Sequence, residues 1–346
     1  MRNTKRICIA AIIMILLIST LSFAQAECKT FTNVSSTIKY IKKNKPASLT
    51  LENVSFKPTQ ILKIRKAMPE GSEFHFTSTW GELTFSDDAE RLDLTVREAG
   101  TTIKELEAIV KLCPNLKYVD NSHKYFPSNN EMFSIMKKYP DIHFDWQVKL
   151  GSSYHVSTKA TTFSTMNHID APTKLRSKDM DLLKYCPNLK ALDLGHNNIT
   201  SLDFLQYTPN LELLIIADNK VTDISPISQL KHLQYLEIFK NHITDLSPLA
   251  ECTELLDLNI TWVDATDLSP LDNLPNLQRL WGNMLRKMPE EEIKRYVDSH
   301  PNVSVDFQLS HAATVDGWRE HERYEHYIWC FKRHTWIPFD EPLPTR

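Results

Sequence analysis

A repeat of 22 residues through the middle of the chain constrains its fold more than any other feature. Leu189-x-x-Leu192-x-Leu194-x-x-Asn197-x-Ile199 returns as Leu211, Leu214, Ile216, Asn219 and Val221, and again as Leu233, Leu236, Ile238, Asn241 and Ile243. The frame recurs at Leu255, Leu258 and Ile260 and fades at Leu277 and Leu280. A second apolar pair closes each unit: Leu202/Leu205, Ile224/Ile227, Leu246/Leu249 and Leu268/Leu271. Ser-Pro precedes the last member of the pair at Pro226, Pro248 and Pro270. Self-similarity at such a period marks a stacked array of supersecondary units. No unit can bury its apolar face alone, so stability comes from stacking and falls off at uncapped ends.

Within a unit, Leu192 and Leu194 alternate to one side of a strand, and the residues between them point to the other. Asn197, Asn219 and Asn241 fall where the chain leaves the strand. A buried side-chain amide there pairs with backbone groups of neighbouring turns that would otherwise go unsatisfied. Asp-x-Ser-Pro at Asp223–Pro226 and Asp245–Pro248 predicts a turn or the start of a short helix. Over residues 175–285 these motifs resemble the leucine-rich repeats of the internalin-like group of secreted or surface bacterial proteins. That group shares the Asn and the Ile-x-Asp-Ile/Leu-Ser-Pro-Leu stretch. The resemblance implies an α/β leucine-rich repeat solenoid, with a curved parallel sheet on the concave side and helices or turns on the convex side. It says little about a ligand. Val263 departs from it by replacing the expected Asn, and the unit at Leu277 loses the pattern after Trp281.

Residues 1–26 have the form of a secretory signal: basic Arg2, Lys5 and Arg6, an apolar run Ile7–Ile18, and Ala24-Gln25-Ala26 for cleavage. That run is too short for a comfortable membrane span, and no second apolar run of membrane length follows. Losing the three basic charges takes the formal net charge from −3 to −6. A mildly acidic chain argues against nonspecific nucleic-acid binding. Cys186 and Cys252 stand three whole periods apart in the slot that Leu230 and Leu274 fill, and Cys113 precedes a similar Pro-Asn-Leu. Three turns of a solenoid separate the first two too far for a disulfide, so these read as buried apolar thiols. Pairing of Cys28 with Cys330 stays open.

Outside the regular units (175–288) the logic loosens. In residues 27–174, strands are expected at Ser48–Val54, Glu73–Phe76, Arg91–Val96 and near Thr162–Ser164, and helices at Gln60–Met68, Ile103–Leu112 and Asn130–Lys138. They read as irregular strand–helix units or as a separate small α/β cap. Residues 147–175 otherwise read as loop. In 289–346, a helix over Glu290–Val297 precedes a closing strand in His300–Phe307. The aromatic and charged stretch Gly317–Trp329 is expected to cap the exposed edge of the last repeat.

The outward strand positions form columns: Ala191, Leu213, Tyr235, Asp257, Arg279; then Asp193, Ile215, Glu237, Asn259, Trp281; then Gly195, Ala217, Phe239, Thr261, Asn283. The turn that follows carries His196, Asp218, Lys240, Trp262 and Met284. Aromatics clustered on one face and flanked by charge suit an interface, so Tyr235, Glu237, Phe239, Lys240, Trp262 and Trp281 are the candidate ligand-binding residues. Flanking segments folding over them would instead make them ordinary core. Motifs for phosphate loops, zinc proteases and serine nucleophiles are missing. His326, Cys330 and His334 would fall along one face of a continuous helix and with Glu322 could serve a metal-dependent enzyme, but they lack the tight two-residue spacing of zinc clusters and suit a packed cap better. His196 beside Asp218 reads as an acid–base pair or a surface hydrogen bond. The chain thus reads as a secreted, cofactor-free, non-enzymatic protein that binds another protein on its concave face, with a surface glycan as the alternative ligand.

Overall fold

The computed structural model describes residues 31–123, 127–166, 174–308, 314 and 317–344. The expected signal segment and Cys28 lie outside the described residues. Among the latter no helix is long and apolar enough to cross a membrane. The chain divides into two compact units, one up to Phe144 and one from Asp145.

The first unit is built from strand–helix–strand pairs. α1 (Val34–Asn44) is capped by Asn33, whose side chain accepts from the Ser35 and Ser36 amides at 2.8 and 3.2 Å. β1 (Ser48–Val54) lies parallel to β2 (Glu73–Trp80), with α2 (Pro58–Arg65) as the crossover. β2 then turns back at Gly81 (φ 63°) into β3 (Leu83–Ser86), an antiparallel hairpin absent from the sequence reading. Gly81 was its signal, since a left-handed φ is nearly free only for glycine. β4 (Arg91–Asp93) pairs in parallel with β5 (Tyr118–Asn121), bridged by α3 (Ile103–Leu112). α3 and α4 (Asn129–Lys138) both start from capping boxes, Thr102 with Glu105 and Ser128 with Glu131. Leu49, Leu51, Ile61, Ile64, Phe76 and Ile109 are buried inside.

β6 (His143–Leu150) crosses the boundary and opens the second unit. At Gly151 (φ 56°) it folds into β7 (Tyr154–Ser157), so part of the stretch expected to be loop is a hairpin. There follow β8 (Thr162–Ser164), β9 (Ala191–Asp193), β10 (Leu213–Ile215), β11 (Tyr235–Glu237), β12 (Asp257–Asn259) and β13 (Arg279–Trp281). After α5 (Glu290–Ser299), β14 (Ser304–Asp306) closes a seven-stranded parallel sheet whose spatial order follows the chain. The register is in step: Ala191, Leu213, Tyr235, Asp257, Arg279 and Ser304 stand in one row. These are the columns that the period predicts.

Each strand is only three residues long, yet the ladder runs on past it. The amides of His196, Asp218, Lys240, Trp262 and Met284 donate to the next repeat at 2.8–2.9 Å while φ swings to between 52° and 61°. One left-handed residue per repeat thus turns the chain out of the sheet without breaking its hydrogen bonding. None of the five is glycine, and each carries a conformational cost of about 1–2 kcal/mol. On the return path the Asp223, Asp245 and Asp267 side chains each accept from the amide two residues on at 2.8 Å. Pro226, Pro248 and Pro270 fix φ at the start of the 3₁₀ turns Ser225–Gln229, Ser247–Glu251 and Ser269–Leu271. The expected helix starts go no further than one turn.

The Asn ladder is the polar spine of the array. Asn219 accepts from the Ile199 amide at 2.9 Å and donates to the Leu194, Ile216 and Ala217 carbonyls at 2.9, 3.1 and 3.2 Å. Asn241 repeats this arrangement one turn on, accepting from Val221. Asn197 begins it, accepting from Leu175 and donating to Leu194, Gly195 and Thr165. Cys186 and Cys252 are buried thiols in the repeat core, and Cys113 is buried in the first unit. Burial pushes the Cys113 and Cys186 thiols up to about 12 and that of Cys252 to about 11.

Candidate functional site: the concave face and the segment across it

α6 (Glu322–Arg333) and the chain on either side of it lie across the concave face. The sequence reading placed this segment over the edge of the last repeat; its main seat is the face instead. Trp318 packs on Trp281 and Tyr235 with ring centroids 5.3 and 5.5 Å apart, and Tyr327 meets Tyr235 at 5.0 Å. At the far end the Trp336 amide donates to Thr161 Oγ1 at 2.8 Å and its indole to Glu212 Oε2 at 2.6 Å. The segment therefore spans the sheet from β13 back to β8. Ala191, Leu213, Ile215, Ala217, Tyr235, Phe239 and Trp281 share one buried cluster with Trp318, Tyr327, Cys330, Phe331 and Trp336.

This placement corrects the expectation that the aromatic columns face solvent. Tyr235 is fully buried, and Trp281, Glu237 and Phe239 are buried with it. The Tyr235 hydroxyl donates to Glu237 Oε1 at 2.5 Å, and the Trp318 indole donates to the same oxygen at 2.8 Å. Burial pushes the Glu237 carboxyl above its ordinary range, outweighing the two hydrogen bonds that pull it down. Burial likewise raises Asp193, against bonds from Ser164 and the Gly195 amide.

Beside this pair sits a buried charge triad. Asp257 accepts from Arg279 Nε at 2.7 Å and from Arg323 Nε and Nη2 at 2.6 and 2.8 Å. Arg279 Nη1 reaches the Gly317 and Trp318 carbonyls at 3.3 Å, while its Nη2 is buried with no hydrogen-bond partner among the described residues. A lone carboxylate here would be costly, and the fork of Arg323 together with the single bond from Arg279 compensates it. Asp257 and Arg279 were legible as column residues, but Trp318, Arg323, Glu212 and Trp336 were not assigned to this face. The complementary aromatics at 318–339 and in the outward columns were the available signal.

Two candidate residues remain outside the covered surface. Lys240 and Trp262, on the turns at the rim of the sheet, are exposed, and Trp262 retains 47% of its surface. Lys240 Nζ and Arg286 each lie 6.0 Å from the Trp262 ring centroid. Lys240 also pairs with Asp218 at 2.8 Å, and Asp218 accepts from or shares a proton with His196 Nδ1 at 2.8 Å. Partial burial raises the Asp218 carboxyl, but Lys240 and His196 outweigh it and hold the group below its usual range. His196 and Asp218 are thus brought together as the sequence suggested, as part of a row of rim charges.

Glu322, His326, Cys330 and His334 are not gathered into one site. His326 Nε2 bonds the Ile337 carbonyl at 2.8 Å, the Cys330 thiol points at the same oxygen from 3.9 Å, and His334 ends α6 in a left-handed turn (φ 54°). Among the described residues no cluster of His, Cys, Asp or Glu is arranged to hold a metal ion. A cleft of about 490 Å³ lies where the end of α6 meets β7 and β8, lined by Tyr154, Val156, Phe163, Met166, Ile328 and Phe331 among others.

Two stretches match repeat models: residues 185–202 the Leucine Rich repeat, and residues 209–261 the Leucine Rich repeats in two copies. The array is a leucine-rich repeat solenoid. Solved structures with the same kind of repeat include internalin C2 of Listeria monocytogenes, at 20% identity over 81% of this chain and 100% of that one, TM-score 0.34. An internalin F of the same organism aligns at 15% identity over 82% of this chain and 72% of its own, TM-score 0.33. A leucine-rich repeat protein of Leptospira interrogans aligns at 17% over 75% and 72%, TM-score 0.35. Likeness at this level says nothing of function. No curated protein matches the chain.

Proposed function

We propose that this leucine-rich repeat protein is an exported, non-enzymatic binding protein that holds another protein, with Trp262 and Lys240 at the rim of the sheet as its anchor. The observation that supports this reading is the exposure of Trp262. No other large apolar side chain among the described residues of the array (175–288) is exposed, yet this indole is held out on a left-handed turn between two cations. A rigidly presented aromatic ringed by charge is the composition of an interaction hot spot. Its neighbours Lys240 and Arg286 favour a partner that brings carboxylates to the rim. Tyr235, Glu237, Phe239 and Trp281 belong to the same face but are covered in the closed chain.

The test is affinity capture from envelope and host-surface extracts with the whole chain beside Trp262→Ala and Lys240→Glu. A partner retained by the parent and lost by both variants, with unfolding midpoints unchanged, supports the rim site. Identical capture by all three removes it. Competition by soluble oligosaccharides, with no protein captured, would transfer the same aromatic to a glycan. Export is tested separately by the N-terminal sequence of the protein recovered outside the cytoplasm, which the reading expects to begin at Glu27.

A further inference from the structure

The segment on the concave face is attached differently from everything else in the second unit. Among the described residues, no backbone–backbone hydrogen bond joins residues 317–344 to the sheet. Each of its polar attachments uses at least one side chain: Arg323 to Asp257, Trp318 to Glu237, Trp336 to Glu212 and Thr161, and Arg279 to the Gly317 and Trp318 carbonyls, together with ring packing. The array's own core closes on the opposite side of the strands, where Leu192, Leu214, Leu236, Leu258 and Leu280 are fully buried in an unbroken apolar row. The covered side is composed quite otherwise, with Asp193, Glu237, Asp257, Asn259 and Arg279 among its aromatics. Carboxylates and a guanidinium are poor core material, because burying them is costly unless every group is paired. Arg279 Nη2 is not. Mixed polar and aromatic composition with a charged latch is the anatomy of a protein–protein interface.

We propose that residues 317–344 are an autoinhibitory strap, a ligand in cis that leaves the concave face as one body while the repeats stay folded. The strap itself defines what the opened face takes in trans. The partner is an amphipathic helix with aromatic side chains along one side and a basic residue to meet Asp257. An acceptor placed to receive Arg279 Nη2 would let it outcompete the strap. This inference uses the buried face and does not depend on the rim site at Trp262.

The test uses the full chain, as parent, Arg323→Ala and Arg323→Glu, with hydrogen exchange read by segment. Loss of the two charge-assisted bonds to Asp257 predicts about 30-fold faster exchange in α6 for Arg323→Ala, with the amides around Leu214, Leu236 and Leu258 unchanged. A labelled synthetic peptide of residues 317–344 is the trans probe, expected to bind Arg323→Glu well and the parent weakly. Equal exchange of α6 and the strands in parent and variants, or wholesale unfolding of both variants, makes the strap part of one cooperative core and overturns the proposal. A peptide that binds neither variant, or binds parent and variants alike, also overturns it.

Discussion

Removing one rung of the Asn ladder should show how the array is held. Asn219→Ala deletes four hydrogen bonds at once, but the four groups left behind are not equally harmed. The Leu194 carbonyl keeps Asn197, the Ile216 carbonyl keeps Asn241, and the Ala217 carbonyl keeps the His196 amide. The Ile199 amide is the group that loses its bond outright, inside a repeat where Ile199 is fully buried. An orphaned buried donor costs about 1–3 kcal/mol, and the weakened carbonyls and lost packing add about 1 kcal/mol, giving about 2–4 kcal/mol. Asn219→Asp separates the two halves of the argument. Its carboxylate still accepts from Ile199 but faces three carbonyls without a proton to offer, so at neutral pH it should cost more than Ala. Part of that loss should return on acidification as the carboxyl protonates. Urea unfolding followed by tryptophan fluorescence reads the effect in the right place, because Trp80 is the only one of the seven tryptophans before Asp145. A loss under about 1 kcal/mol for Ala, or an Asp variant milder than Ala at neutral pH, would refute the ladder as a stabilising element.

Further outcomes follow from the covered face and the buried thiols. Asp257→Ala leaves Arg279 and Arg323 facing each other without a counter-charge, and should lower the urea-derived stability by about 3–5 kcal/mol; a loss under 1 kcal/mol would show that solvent reaches the triad. Glu237 is held above its ordinary range, so the folded state binds the extra proton and its contribution to stability declines as pH rises from the unfolded carboxylate range through the raised value. Glu237→Gln should remove that part of the slope in a stability-versus-pH series, and an unchanged slope would contradict the assignment. Cys113, Cys186, Cys252 and Cys330 are buried with thiol pKa values raised by burial, so a chromogenic disulfide reagent should label them only as fast as the protein opens. Prompt labelling of all four in the native protein would be inconsistent with the packing.

What the sequence made legible was whatever the period controls. The strand positions, the outward columns, the Asn rungs and the Ser-Pro turns all follow from stacking identical units, and Thr162–Ser164 and Ser304–Asp306 joined as irregular members of the same sheet. The left-handed turns at His196, Asp218, Lys240, Trp262 and Met284 were visible as a column, but not as a conformation, because none of them is glycine. The hairpins β2–β3 and β6–β7 were missed, although Gly81 and Gly151 sit at their tips. The seat of the C-terminal segment was beyond local pattern. Its contacts join Trp318 to Glu237 across 81 residues and Trp336 to Thr161 across 175, separations that no periodicity spans. Burial under that segment changed the meaning of Tyr235 and Trp281, while Trp262, in the turn column beyond the strands, stayed in water.

Hydroxyl-radical footprinting of the native chain, read residue by residue, tests the closed concave face most directly. Trp262 should be oxidised readily, with Tyr235, Trp281, Trp318 and Tyr327 protected until the protein is opened by denaturant. Oxidation of Tyr235 and Trp281 at the rate of Trp262 in the folded protein would mean that the face is open, contradicting the account.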